Sequence, residues 1–263
     1  MRIRANGIDV EYRIEGPPAA PVVMFSHPLA ATLEVWDAQA AALTGRYRVL
    51  RYDARGHGGS AVPPGPYTLA EMASDAVALL DALGIAQVHF VGLSMGGCVG
   101  MTAALDHASR FKSLVLADTT SQYAPETGAM WEQRIRGAER DGMAPIVEPT
   151  MEIWFSAGFR EAHKGAVDRV RAMLHATDPR GYIAAIRAIA PVDLTARLDA
   201  IRCPTLVLVG ENDPGTTPAM ARLIQERIPG ARLAVLPGAR HCSAVEAAEA
   251  FNTALLHFLG SVA

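Results

Sequence analysis

Six short, predominantly apolar stretches recur along the chain, and they constrain its fold more than any other feature. They are Pro21-Val22-Val23-Met24-Phe25-Ser26, Tyr47 to Tyr52, Val88 to Leu93, Leu114 to Ala117, Thr205 to Val209 and Arg232 to Leu236. A strand with one wet face alternates apolar and polar residues, whereas a run without alternation is covered on both faces, as in a parallel sheet. Helical patterns lie between the runs. Thr68-Leu69-Ala70-Glu71 is a capping box, opening a helix with Leu69, Met72, Ala76, Leu79, Leu80 and Leu83 on its apolar face and Gly84 as its stop. Thr217-Pro218 opens another, with Thr as cap and Pro at the first helical position. Val245, Ala248, Phe251, Leu255 and Leu259 form the stripe of a last helix. This alternation predicts an α/β fold, a mostly parallel central sheet flanked by helices. Residues 2–14 read as a hairpin turning at Asn6-Gly7 and suited to a sheet edge.

The alternation fails over residues 121–191, which hold Trp131, Trp154, Phe155 and Phe159 among helical patterns broken by Gly142, Pro145 and Pro149. That segment is expected to be a helical cap inserted after the sixth strand, with 1–120 and 192–263 as the core. Half of the 263 residues are hydrophobic, enough for a sizeable core. The 24 basic and 27 acidic side chains leave a net charge of −3, so neither a nucleic acid nor an anionic membrane surface is an expected partner. Cys98, Cys203 and Cys242 lack the spacing of a zinc site and the density of a disulfide scaffold. Asn6, Asp9, Glu11 and Arg13 interrupt any signal-like apolar run, and no stretch approaches the roughly 18 apolar residues of a membrane span. A soluble cytoplasmic protein is expected.

Val88 to Leu93 runs directly into Gly92-Leu93-Ser94-Met95-Gly96 and then into a helix rich in small residues. Strand, G-x-S-x-G and helix together make a nucleophile elbow, in which a tight, strained turn presents the serine hydroxyl at a helix N-terminus. The bland alternative is a glycine-rich turn with Ser94 as a cap. A serine becomes nucleophilic when an oriented base takes its proton, and the chain order serine, acid, histidine tests that reading. Asp213 follows the strand Thr205 to Val209, and His241 follows the strand ending at Leu236. Both positions open onto the crevice at the carboxyl ends of parallel strands. Asp118, after Leu114 to Ala117, is a competing acid, and Asp213 is preferred; His57 breaks the order. A tetrahedral oxyanion needs two N–H donors. Met95, next to the nucleophile, offers one, and because Pro28 has no N–H, Leu29 in the loop after Ser26 offers the other.

These residues resemble the α/β-hydrolase fold family: His27-Pro28-Leu29 with Trp36, Asp53 to Ser60, Gly92 to Gly97, Gly210-Glu211-Asn212-Asp213 and His241 span nearly the whole chain. Within it the sequence looks most like the 3-oxoadipate enol-lactonases of aromatic-acid catabolism, through Val49 to Asp53, Pro64 to Thr68, Trp131 to Arg136, Gly142-Met143 and Trp154-Phe155. The resemblance implies that Ser94, Asp213 and His241 open a carboxylated lactone through an acyl-enzyme, with no metal or organic cofactor required. A substrate of that kind carries a carboxylate that an arginine can hold. Trp131 and Arg134, at i and i+3 on one helix face, are the expected contacts, with Trp154 beside them. A carboxylesterase, a perhydrolase or cofactor-free haloperoxidase-like enzyme, and a non-catalytic small-ligand receptor are the alternative readings.

Overall fold

The computed structural model describes residues 1–262. Eight strands, β1 (Arg2–Ala5), β2 (Ile8–Glu15), β3 (Val22–Ser26), β4 (Arg48–Tyr52), β5 (Val88–Leu93), β6 (Phe111–Ala117), β7 (Thr205–Gly210) and β8 (Arg232–Leu236), form one sheet in the order β1-β2-β4-β3-β5-β6-β7-β8. All six apolar runs became strands, paired parallel with one another, and only β2 runs against them, antiparallel to both β1 and β4. The expected edge hairpin is present, with Asn6 and Gly7 at φ 45° and 77° as a type I′ turn requires. Every residue of β5 and β7 is buried. By contrast β8 is half exposed, because it ends the sheet and has a neighbour on one side only.

Three helices pack between the early strands: α1 (Asp37–Leu43), α2 (Leu69–Ala82) and α3 (Met95–Asp106). Both halves of the Thr68–Glu71 capping box are closed. Five helices fill the chain between β6 and β7: α4 (Gly128–Asp141), α5 (Ala144–Trp154), α6 (Ala157–Ala162), α7 (Lys164–Ala176) and α8 (Pro179–Ile189). They form the cap. Three more follow in the core: α9 (Pro218–Arg227), α10 (Ser243–Glu246) and α11 (Ala248–Ser261). Among the described residues no helix is long and apolar enough to cross a membrane.

The structure corrects two local expectations. Val245 does not share a helix with Phe251, Leu255 and Leu259: Ala247, at φ −121° and ψ 43°, separates α10 from α11. Pro145 and Pro149 do not break the cap helices. Pro145 sits in the first turn of α5, where its missing N–H costs nothing, and Pro149 lies inside α5. Thr217 and Pro218 stand at the cap and first position of α9 as expected, although the Thr217 side chain makes no bond to the helix.

This topology sets where a site can lie. From β3 the chain moves to β4 on one side and later to β5 on the other, so the loops after β3 and β5 diverge across a switch point, where crevices open in such sheets. The cap closes over it. Thr177 donates its hydroxyl to Ala30 O at 3.0 Å, and Cys242 N–H reaches Trp154 O at 3.1 Å. Gly181 of α8 crosses Gly56 of the loop after β4 so closely that a Cβ on Gly181 would stand 2.1 Å from Gly56 O.

Candidate active site

Ser94 sits between β5 and α3 at φ 54° and ψ −112°, a strained conformation for a residue with a Cβ. The surrounding backbone permits nothing larger than glycine on either side. A Cβ on Gly92 would lie 2.1 Å from Gly96 O, and one on Gly96 would lie 2.1 Å from Ser26 O. Ser94 N–H donates to Ala117 O at 2.9 Å and Ser94 O accepts from Thr119 Oγ1 at 2.7 Å, so β6 and its loop brace the turn.

The three side chains expected to converge do so. The Ser94 hydroxyl lies 3.0 Å from His241 Nε2, and His241 Nδ1–H donates to Asp213 Oδ2 at 2.8 Å. Asp213 also accepts the N–H groups of Gly215 and Thr216 on Oδ1, at 2.8 and 3.0 Å, and the Thr216 hydroxyl on Oδ2 at 2.7 Å. The Thr216 oxygen stands 3.1 Å from His241 Nδ1, so one side chain steadies both partners. Burial alone would raise Asp213, yet the facing His241 and these hydrogen bonds outweigh it and hold the carboxyl below its ordinary range. For His241 burial pulls the other way, and the Asp213 charge overcomes it, lifting the imidazole above its ordinary 6.5. Such a chain lets His241 accept the serine proton while Asp213 stabilises the imidazolium.

Asp118 occupies a different position. It is fully buried, with Oδ1 accepting Gly210 N–H at 2.8 Å and Oδ2 accepting the Ser243 hydroxyl at 2.5 Å. It therefore ties the ends of β6 and β7 to the segment after His241, and Asp213 bonds the imidazole. His57 is buried elsewhere, bonded through Nδ1 to Arg55 O at 3.0 Å. Burial drives its pKa down to about 3, so it is neutral. All three thiols are lifted by burial, Cys98 to about 11, which leaves them protonated and poorly nucleophilic.

Two backbone N–H groups are the candidate oxyanion donors. Met95 begins α3, where an N–H has no acceptor within the helix, and Leu29 lines the cavity in front of Ser94. The Leu29 loop is fixed by residues whose role the sequence did not reveal. His27 Nδ1–H donates to Pro28 O at 2.8 Å, while Nε2 accepts Ala54 N–H at 2.9 Å, bridging the loops after β3 and β4. Asp53 reinforces the bridge by accepting Leu33 N–H and Gly59 N–H.

The cavity above Ser94 measures about 90 Å³. Leu29, Ile153, Trp154 and Ile189 make its apolar wall, and Trp131, Arg134 and Tyr182 contribute its polar cap side. Trp131, Arg134 and Trp154 thus all line the cavity. The Arg134 guanidinium lies 5.7 Å over the Trp131 ring, and its Nη2 donates to Thr150 Oγ1 at 2.6 Å. Tyr182 carried no signal in the sequence, because it reads as an ordinary apolar-face residue of α8. Among the described residues no group of three or more His, Cys, Asp or Glu side chains is arranged to hold a metal ion.

Comparison with known proteins agrees with this geometry. A family model for the α/β hydrolase fold matches residues 21–248. The chain is 34% identical over 253 residues to 3-oxoadipate enol-lactonase 2 of Acinetobacter baylyi, covering 96% of this chain and 94% of that protein. It is 32% identical to a protein named as a carbamate hydrolase, RutD, of Caulobacter sp. strain K31, over 96% of each chain. The solved enol-lactonase of Burkholderia xenovorans LB400 superposes with a TM-score of 0.95 at 36% identity, covering 99% of this chain and 100% of that one. The chain belongs to the α/β-hydrolase fold family and is a hydrolase of the ester and lactone type.

Proposed function

We propose that this protein opens the ring of 3-oxoadipate enol-lactone, or a closely similar carboxylated lactone, in the cytoplasmic breakdown of aromatic acids. Ser94 Oγ attacks the lactone carbonyl as His241 Nε2 takes its proton, and the Met95 and Leu29 N–H groups hold the oxyanion. Collapse breaks the ring C–O bond and expels an enolate oxygen, a better leaving group than an alkoxide, which takes the proton back from His241. The released enol becomes a ketone. Water, deprotonated by His241, then cleaves the acyl-Ser94 ester, so one water is consumed per lactone.

The observation that carries this reading is the placement of Arg134. An ester hydrolase for neutral substrates has no use for a guanidinium in a cavity this small and apolar, whereas an acidic lactone supplies it with a counter-charge. Similarity to enol-lactonases over nearly the full chain supports the same choice. Trp131 stacks beside the guanidinium and Trp154 closes the wall next to His241, at 6.2 Å between rings. A second reading, hydrolysis of small esters or carbamates, is favoured by the remaining apolar lining and by the carbamate-hydrolase relative.

Steady-state turnover of the carboxylated enol-lactone, the same ring bearing methyl in place of carboxymethyl, a neutral aryl ester and a carbamate separates the readings. The acidic lactone is expected to show the highest kcat/KM. Ser94→Ala is expected to abolish turnover, and Arg134→Gln to collapse the preference for the acidic over the methyl-bearing ring. A neutral ester or carbamate turned over better than the acidic lactone would overturn the proposal.

A further inference from the structure

Two buried polar groups in the same cavity have no part in the proton relay. Trp131 Nε1 and the Tyr182 hydroxyl have no hydrogen-bond partner in the protein, although the residues are only 7% and 1% exposed. Both residues line the cavity that holds Ser94 and His241. A buried donor without an acceptor is costly, and native proteins rarely leave one except where function needs it. Here two such donors stand beside a third, charged one. Arg134 takes no part in the ion pairs of the cap, which join Arg171 to Glu148, Arg187 to Glu132, Arg180 to Asp178 and Arg140 to Asp141. Among the described residues no carboxylate faces it. Thr150 accepts from Arg134 Nη2 and donates its own hydroxyl to Ile146 O, which orients the guanidinium without neutralising it.

We propose that Trp131 Nε1–H, the Arg134 guanidinium and the Tyr182 hydroxyl together form a carboxylate clamp, so that the enzyme takes small acids whose reacting carbonyl lies at Ser94 and whose carboxylate lies a few atoms away under α4 and α8. This deepens the lactonase reading and rests on it for the reaction, while the clamp itself is a statement about binding. The chemistry of the donors selects the ligand. An indole N–H and a guanidinium can only donate, and a carboxylate is an acceptor with about four lone-pair sites. Burial raises the Tyr182 pKa, with Arg134 opposing the rise without closing a regular hydrogen bond, so the hydroxyl keeps its proton at neutral pH and donates. A neutral ligand of the same shape would leave the Trp131 and Tyr182 donors without an acceptor and the guanidinium without a counter-charge. Sites built to hydrogen-bond a substrate group reject the analogue lacking it far more strongly than apolar pockets reject an extra methylene. In this division of labour α4 supplies two donors, α8 the third, and the apolar wall measures the length between carboxylate and carbonyl.

Calorimetric titration of the protein with adipate and with hexanoate tests the clamp. The two acids share a six-carbon chain and one carboxylate, which can lie at the oxyanion donors, so only the second carboxylate of adipate distinguishes them. Adipate is expected to bind at least about ten-fold more tightly, and Tyr182→Phe and Trp131→Phe are each expected to shrink that ratio about ten-fold, the usual scale of a hydrogen bond to a charged group. The ratio does not depend on how much active protein each variant retains, and two variants guard against one that fails to fold. Equal affinities for the two acids, or a ratio that neither variant changes, would overturn the clamp. A protein that keeps the ratio but does not open the enol-lactone would overturn the lactonase reading and leave the clamp standing. The reverse result would do the opposite.

Discussion

The ends of β6 and β7 lie side by side, and each passes into a buried aspartate, yet Asp118 and Asp213 are held in opposite states. Asp118 meets only the Gly210 N–H and the Ser243 N–H and hydroxyl. Burial, with the nearby charge of Asp213 adding to it, pushes its pKa up to about 8, so it is largely protonated at neutral pH. Asp213 is almost as deeply buried but faces His241, and four donors hold it ionised. Depth does not decide the charge of a carboxyl; the partner opposite it does. Between neighbouring strands the chain therefore has one charged acid that orients an imidazole and one neutral acid that ties loops together.

The largest expected effect breaks the pair apart by kinetics. Asp213→Asn should lower kcat by about four orders of magnitude, the scale of that change in serine triads, because it no longer selects the reactive tautomer. Asp118→Asn should cost less than about ten-fold, and comparable losses in steady-state assays would show the roles reversed. Thr216→Val, which removes a hydroxyl shared by Asp213 and His241, should cost roughly five-fold in kcat, the worth of one hydrogen bond. Rate against pH sharpens the contrast further. His241 must be neutral to accept a proton, and its pKa is raised, so kcat/KM should fall as pH drops through a value above 6.5. Removing the Asp213 charge should move that limb to lower pH.

The smallest effect is on stability, and here the two acids have opposite signs. Asp118 is raised on folding, so its contribution is complete below about pH 4 and is lost as pH rises through about 8. Asp213 is lowered, so its contribution is present above its unfolded value and lost as pH falls through the folded one. Denaturant midpoints measured against pH should lose the decline between about pH 4 and pH 8 in Asp118→Asn. A decline that persists in that variant would mean that another group causes it.

Much of this was legible in the chain because it is local. Continuous apolar runs mark strands covered on both faces, G-x-S-x-G after one of them marks the elbow, and the order of Ser94, Asp213 and His241 follows from which strand each one trails. The choice between Asp118 and Asp213 was only a preference from sequence, since each trails a strand. It took the imidazole's actual partner to settle it. Tyr182, Thr216, Ser243 and the His27–Ala54 bridge went unread for the same reason: each acts on a group brought near by tertiary packing, and periodicity carries no trace of that. Pro149 misled in the other direction: it lies at the middle of α5, and the helix continues through it although its missing N–H leaves one i→i−4 bond unmade.

The crossing of Gly181 over Gly56 also bears on which parts of the pocket can yield. With no room for a methyl group between them, α8 rests directly on the main chain of the core, and Tyr67 N–H donates to Ala184 O at 3.3 Å a turn further on. Tyr182, one residue beyond the contact, thus belongs to a stationary jaw, while Trp131 and Arg134 ride on α4, which leans on its fellow helices α5 and α8. The α8 side of the cavity is therefore backed by core main chain, and room for a larger occupant is to be sought on the α4 side.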